Sequence, residues 1–100
     1  MPKIWVTIWR GGDATSPKVW LDDKLLTGWE EPPEDPMYVR RGWFVMRELE
    51  INSTHDIECE ARQPGHLFWL SVVDQTNYVL LDRSFALPPN VSYQDQFRVR

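Results

Sequence analysis

Residues 56–73 read Asp56-Ile57-Glu58-Cys59-Glu60-Ala61-Arg62-Gln63-Pro64-Gly65-His66-Leu67-Phe68-Trp69-Leu70-Ser71-Val72-Val73. The period in this run is two, the spacing of a strand with one wet face. Ile57, Cys59 and Ala61 fall on one side, and Glu58, Glu60 and Arg62 on the other. Gln63-Pro64-Gly65-His66 is a turn signal, because Pro presets one backbone angle and Gly frees the next. Residues 67–73 are nearly all apolar, which predicts a central strand covered on both faces. Two strands joined by a short Pro-Gly turn pair antiparallel, since a parallel crossover needs a dozen residues or more.

The same grammar extends outward. Residues 3–9 place Ile4, Val6 and Ile8 on one face and Trp5, Thr7 and Trp9 on the other. Gly11-Gly12-Asp13 ends that run. Residues 18–21 set Val19 and Leu21 opposite Trp20, and Asp22-Asp23-Lys24 turns into Leu25-Leu26, so residues 19–26 read as a hairpin. Residues 29–37 carry Pro32, Pro33 and Pro36 among acidic side chains, which excludes a helix and a central strand and leaves an extended acidic loop. β character resumes over residues 38–51. There Trp43, Val45, Leu49 and Ile51 share one parity, Phe44 and Met46 the other, and Glu48 and Glu50 wet the second face toward its end. After the Asn52-Ser53-Thr54 turn come residues 56–62 and 67–73. A turn at 74–77, a strand at 78–82, a break at Pro88-Pro89-Asn90 and a strand over 91–100 complete the chain. In that last strand Tyr93, Phe97 and Val99 lie on one face. About seven short strands at such spacing, with no amphipathic helix, predict an all-β, antiparallel two-sheet β-sandwich, immunoglobulin-like or prealbumin-like. A small barrel is the alternative. The paired cysteines of a true immunoglobulin domain are absent.

One hundred residues is room for one domain, here 1–100, large enough to form a core without disulfides. The formal charge of −4 disfavours nucleic acid as a partner. No apolar run approaches the roughly 20 residues of a membrane helix. Residues 1–10 lack a charged-then-apolar signal pattern. The lone Cys59 excludes an internal disulfide and suits either an extracellular or a cytoplasmic setting.

Residues 61–76, Ala61-Arg62-Gln63-Pro64-Gly65-His66-Leu67-Phe68-Trp69-Leu70-Ser71-Val72-Val73-Asp74-Gln75-Thr76, followed by Val79-Leu80-Leu81, resemble a segment of the alpha-macroglobulin and complement family. In that family one strand ends in Ala-x-Pro-Gly, and the next ends in Ala-Val-Asp-x-Ser before Val-Leu-Leu. Here Ala61, Pro64, Gly65, Leu70, Val73, Asp74 and Thr76 fill the pattern, with the tail displaced by two residues. The likeness covers residues 57–81, a quarter of the chain. It implies a macroglobulin-like β-sandwich serving as a contact module in secreted host-defence proteins. The family's reactive Cys-Gly-Glu-Gln is missing, because Cys59 precedes Glu60-Ala61-Arg62, so thioester chemistry does not carry over.

No nucleophile, base and stabiliser stand together along the sequence, so no enzyme is expected. Cys59 lies on an apolar parity, where a desolvated thiol is inert. The two histidines and the paired carboxylates match no metal-ligand spacing, and neither a metal nor a cofactor is expected. Arg40-Arg41 and the Arg98/Arg100 pair are small basic patches able to meet an acidic partner. Asn52-Ser53-Thr54 and Asn90-Val91-Ser92 are glycosylation sequons in turns, which makes Asn52 and Asn90 acceptor candidates.

Six tryptophans are the unusual feature of the composition. With Ile4, Val6 and Ile8 as the core side, Trp5 and Trp9 face outward and need a cover. A protein partner, a sugar ring or the Pro-rich loop at 31–37 would each serve. The expected function is a non-enzymatic protein-binding module. Trp5 and Trp9 are its aromatic anchors, with Trp20 or Trp29 beside them, and Glu30, Glu31, Glu34 and Asp35 supply charge complementarity. The alternatives are a carbohydrate-binding module using stacked Trp, and a small viral or phage accessory inhibitor. An exposed edge strand offers a route to a homodimer.

Overall fold

The computed structural model describes residues 1–11, 18–30, 40–60, 67–86 and 92–100. The strands are β1 (Lys3–Gly11), β2 (Lys18–Leu21), β3 (Lys24–Leu25), β4 (Arg40–Glu48), β5 (Thr54–Glu60), β6 (Leu67–Asp74), β7 (Val79–Ala86) and β8 (Ser92–Arg98). Among the described residues eight are found where about seven were expected, because Lys24–Leu25 pairs as a two-residue strand of its own. They form two four-stranded sheets, ordered β4-β1-β6-β7 and β3-β2-β5-β8. Every pairing between them is antiparallel. The expected all-β two-sheet sandwich is the architecture observed.

Inward residues of both sheets form the core. The first sheet contributes Ile4, Val6, Ile8, Trp43, Val45, Leu70, Val72 and Leu81. The second contributes Val19, Leu21, Ile57, Cys59 and Phe97, with Leu26 and Val99 from the flanking segments. Register explains the packing: Val6 sits between Val45 and Val72, and Ile8 between Trp43 and Leu70. Same-face neighbours on adjacent strands lie about 5 Å apart, so each such row is one continuous apolar surface.

Turns are built by short polar side chains. Asp22 and Asp23 both have positive φ (50° and 65°), the two-residue hairpin geometry whose twist matches its strands. Asp74 organises the β6–β7 turn. Its Oδ1 accepts from the Thr76 amide (2.8 Å), the Thr76 hydroxyl (2.6 Å) and the Tyr78 amide (3.0 Å). The Thr76 hydroxyl, reinforced by those two amides against some desolvation, holds this carboxyl below its ordinary value.

Three expectations need correction. The strands on either side of Gln63-Pro64-Gly65-His66 do not pair with each other: β5 lies in the second sheet between β2 and β8, and β6 in the first between β1 and β7, so the short connection passes from one sheet to the other. The parity assigned to residues 38–51 breaks after Glu48, where β4 ends. Ile51 then falls in a turn and is 61% exposed, while Leu49 still packs against the core. The run 67–73 is central in its sheet, between β1 and β7, yet it is not covered on both faces. Trp69 points outward and is 38% exposed. Its apolar character serves neighbours within its own sheet rather than a covering layer.

Candidate functional site

The outer face of the first sheet concentrates aromatic and apolar side chains. Outward positions are Trp5, Thr7 and Trp9 on β1, Phe44 and Met46 on β4, Trp69, Ser71 and Val73 on β6, and Val79 and Asp82 on β7. Pairing sorts them into rows across the strands. Met46, Trp5, Val73 and Val79 are successive partners, so one apolar row crosses all four strands. Its ends are open, with Met46 39% and Val79 50% exposed. The adjacent row runs Phe44, Thr7, Ser71, Asp82, and the next joins Gly42, Trp9 and Trp69.

Gly42 makes that last row possible. A Cβ there would stand 2.9 Å from both Cδ1 and Nε1 of Trp9. The indole therefore lies over bare backbone. Its other neighbour is Trp69, with ring centroids 5.0 Å apart and planes inclined at 37°. The Trp69 Nε1–H donates to Oδ1 of Asp82. This satisfies the polar end of an indole that stays 38% exposed beside Trp9.

The other sequence-predicted residues lie elsewhere. Trp20 is on the outer face of the second sheet, the opposite side of the sandwich. There it borders a shallow groove of about 350 Å³ with Asp23, Asp56, Glu58, Gln94 and Gln96. Gln94 donates to Glu58 (3.1 Å) and Gln96 to Asp56 (2.6 Å) along its floor. Trp29 packs against the core, and its Nε1–H donates to the Leu26 carbonyl at 3.1 Å. Glu30 is exposed, and its backbone pairs with Phe44 of β4 through two bonds of 2.9 Å. Glu31, Glu34, Asp35, Asn90, and the Pro-rich segment weighed as a cover for Trp5 and Trp9, lie outside the described residues. Asn52 is exposed in a left-handed turn (φ 65°). Trp69, Met46, Val73 and Val79 were not singled out in the sequence. Only the pairing of β1 with β4 and β6, and of β6 with β7, brings them onto one face with Trp5 and Trp9.

The structure also assembles a constellation invisible along the chain. Ser53 Oγ lies 2.7 Å from His55 Nε2, and His55 Nδ1 lies 2.5 Å from Asp22 Oδ2. The types and order are those of a nucleophile, base and orienting acid. The proton inventory points another way. Ser53 Oγ also lies 2.5 Å from the Glu50 carbonyl, which can only accept, so the one hydroxyl proton goes there. With its proton on that carbonyl, the serine hydroxyl is not directed at the imidazole for removal. The amides of Asn52 and Ser53 are spent on the Val99 and Glu50 carbonyls, so neither is free to hold an oxyanion. The arrangement is a clamp. It ties the β2–β3 turn to the β4–β5 turn, with the imidazole stacked on Phe97 at 5.6 Å. Asp22 Oδ1 adds a bond from the Asp56 amide at 2.9 Å. Partial burial pushes the Asp22 carboxyl up, but the His55 bond, the Asp56 amide and the charges of His55 and Lys24 outweigh it and hold it below its ordinary value.

Among the described residues, no group of three or more His, Cys, Asp and Glu side chains converges as a metal site, and no helix is long and apolar enough to cross a membrane. Comparison with known proteins finds no matching family, no matching curated protein and no matching solved structure.

Proposed function

We propose that this chain is a non-enzymatic interaction module that binds a protein partner through the outer face of its first sheet. The observation that carries the reading is the row Met46–Trp5–Val73–Val79 with the Trp9–Trp69 pair beside it. An outward sheet face this apolar is an interface signature, because soluble proteins rarely leave such a patch uncovered. Tryptophans held rigid by neighbours make efficient anchors, since little side-chain entropy remains to be lost on binding. The acidic stretch Glu30–Asp35 supplies charge that steers association. The resemblance of residues 57–81 to the alpha-macroglobulin and complement family favours a partner in host defence, and a viral or phage inhibitor would use the same surface.

Carbohydrate binding is the weaker reading. A sugar platform needs indole faces open to solvent, whereas Trp9 and Trp69 turn toward each other. The test starts with a partner captured by the wild-type chain and then purified. Titration calorimetry with Met46→Lys and Trp69→Lys, each checked for fold by circular dichroism, should show affinity at least ~10-fold weaker. Unchanged affinity in both folded variants rejects this face as the contact. Binding on a glycan array that is lost with Trp69→Lys would install the carbohydrate reading instead.

A further inference from the structure

An open groove of about 410 Å³ lies where the start of β7 meets the end of β8, lined by Asn52, Tyr78, Val79, Leu80, Arg98 and Arg100. Two backbone bonds shape it. The Asn52 amide donates to the Val99 carbonyl (2.8 Å), and the Val99 amide to the Ser53 carbonyl (2.9 Å). They fasten the β4–β5 turn beside residues 98–100, so Arg98 and Arg100 line the same hollow. The Arg100 guanidinium rests 4.6 Å from the centre of the Tyr78 ring. A cation parked on an aromatic face is pre-positioned, yet its N–H groups remain available at the rim of the plane.

The charge of this groove runs against that of the molecule. The chain carries a formal −4, yet here Arg98 and Arg100 line one hollow. Among the described residues neither has a carboxylate partner; the ion pairs there are His55–Asp22 and Arg83–Asp95. Besides Asn52, the rest of the lining is Tyr78, Val79 and Leu80, with Val79 and Tyr78 half exposed.

We propose that this groove binds a carboxylate-bearing segment of a protein partner, in which acidic residues sit beside aliphatic ones. Each guanidinium offers a planar fork that matches a carboxylate. Val79 and Leu80 offer apolar contact to the neighbouring side chain. A bare phosphate would meet the same forks but leave Val79 and Leu80 without a contact. Nucleic acid is disfavoured by the overall negative charge. Val79 belongs both to this groove and to the apolar row of the first sheet, so a partner seated on that face reaches the groove over continuous surface. The inference rests on the protein-binding reading for the source of the segment, and it adds the charge that the partner brings.

The test is a titration of the ¹⁵N-labelled chain, followed at backbone amides and arginine Nε–H signals. The probe is a blocked synthetic peptide of alternating Glu and Leu. Saturable shifts at Asn52, Tyr78, Leu80, Arg98 and Arg100 are expected. They should be weakened at least ~10-fold in an Arg98→Gln/Arg100→Gln variant, and weakened by added salt. A peptide with Gln for Glu should leave the groove signals in place. Absent shifts, equal binding by the double variant, or equal binding of the Gln peptide each overturn the proposal. So does a groove that responds to inorganic phosphate, a phosphopeptide or an oligonucleotide but not to the acidic peptide. Failure here, with Met46→Lys and Trp69→Lys still weakening the purified partner, removes the groove and leaves the sheet-face reading standing. The converse pattern removes that reading alone.

Discussion

Gly42 shows how one missing side chain shapes a surface. Its Cα position faces Trp9 across β1 and β4, and the indole occupies the space a Cβ would need. Gly42→Ala should push the Trp9 ring off its site and loosen its contact with Trp69. The expected loss is ~1–3 kcal/mol, typical of overpacking. Thermal unfolding should shift by roughly 4–8 °C per kcal/mol, and tryptophan emission should change with it. An unaltered melting temperature and spectrum would show that the ring moves freely. Acid behaviour is decided at the same scale. Asp22, Asp74 and Asp95 are all held below the ordinary carboxylate value of 3.8. For Asp95, burial pushes upward, but the Tyr93 hydroxyl, the Gln96 amide and Arg83 outweigh it. A carboxyl lowered in the fold adds stability that is full above its unfolded value and lost as pH falls through the folded one. The melting temperature should therefore drop most steeply below pH ~4, and Asp22→Asn should flatten that slope. Parallel slopes for wild type and variant would remove Asp22 from the account. Tyr93 is the basic counterpart. Burial, then its bond to Asp95, pushes its hydroxyl up to about 12. Tyr93→Phe should remove the latest part of the tyrosinate absorbance rise.

Strand edges set the behaviour of the elements. β4 closes one side of the first sheet, and an unpaired edge invites pairing with another chain. Glu30 blocks the middle of it, exchanging two 2.9 Å bonds with Phe44. Arg47 adds a tie, donating to the Thr27 carbonyl at 2.7 Å. Glu30→Pro deletes the Glu30 amide donor and leaves the Phe44 carbonyl without it. The expected consequences are a loss of roughly 1 kcal/mol and concentration-dependent self-association in sedimentation. A variant as stable and as monodisperse as the wild type would mean that this edge needs no guard. This role for Glu30 was not legible in the sequence, where it reads only as part of an acidic loop. The strands themselves were legible, because alternation in residues 3–9 and 56–60 is a local property of the pleat. Ile51 was misread for a related reason. Parity keeps counting after a strand has stopped: β4 ends at Glu48, and Ile51 already belongs to the turn that carries the positive φ of Asn52 (65°).

At the scale of the molecule, the two sheets enclose Cys59 completely. A thiol reagent should then modify it only as fast as the whole sandwich opens. Labelling that tracks global unfolding across a denaturant series is expected. Rapid labelling of the native protein would show that β5 opens on its own. The Ser53–His55–Asp22 clamp also belongs to this scale, since it joins residues 33 apart in sequence. Nothing in the chain around His55 announces it.

Strand content, the core parity of Ile4, Val6, Ile8, Ile57 and Cys59, and the turns at Asp22-Asp23 and after Asp74 were determined by the sequence alone. They follow from side-chain direction and backbone preference within a few residues, and neither needs a distant partner. Which strands become neighbours is different. It depends on how both sheets together bury their apolar faces, and no local window contains that sum. Only the tertiary structure therefore decided that Trp9 meets Trp69, that Trp20 faces the opposite side and that Trp29 props the core. The same assembly seats Asn52, Tyr78, Arg98 and Arg100 around one groove. A surface made of cross-strand rows exists only once β1 has taken its place between β4 and β6.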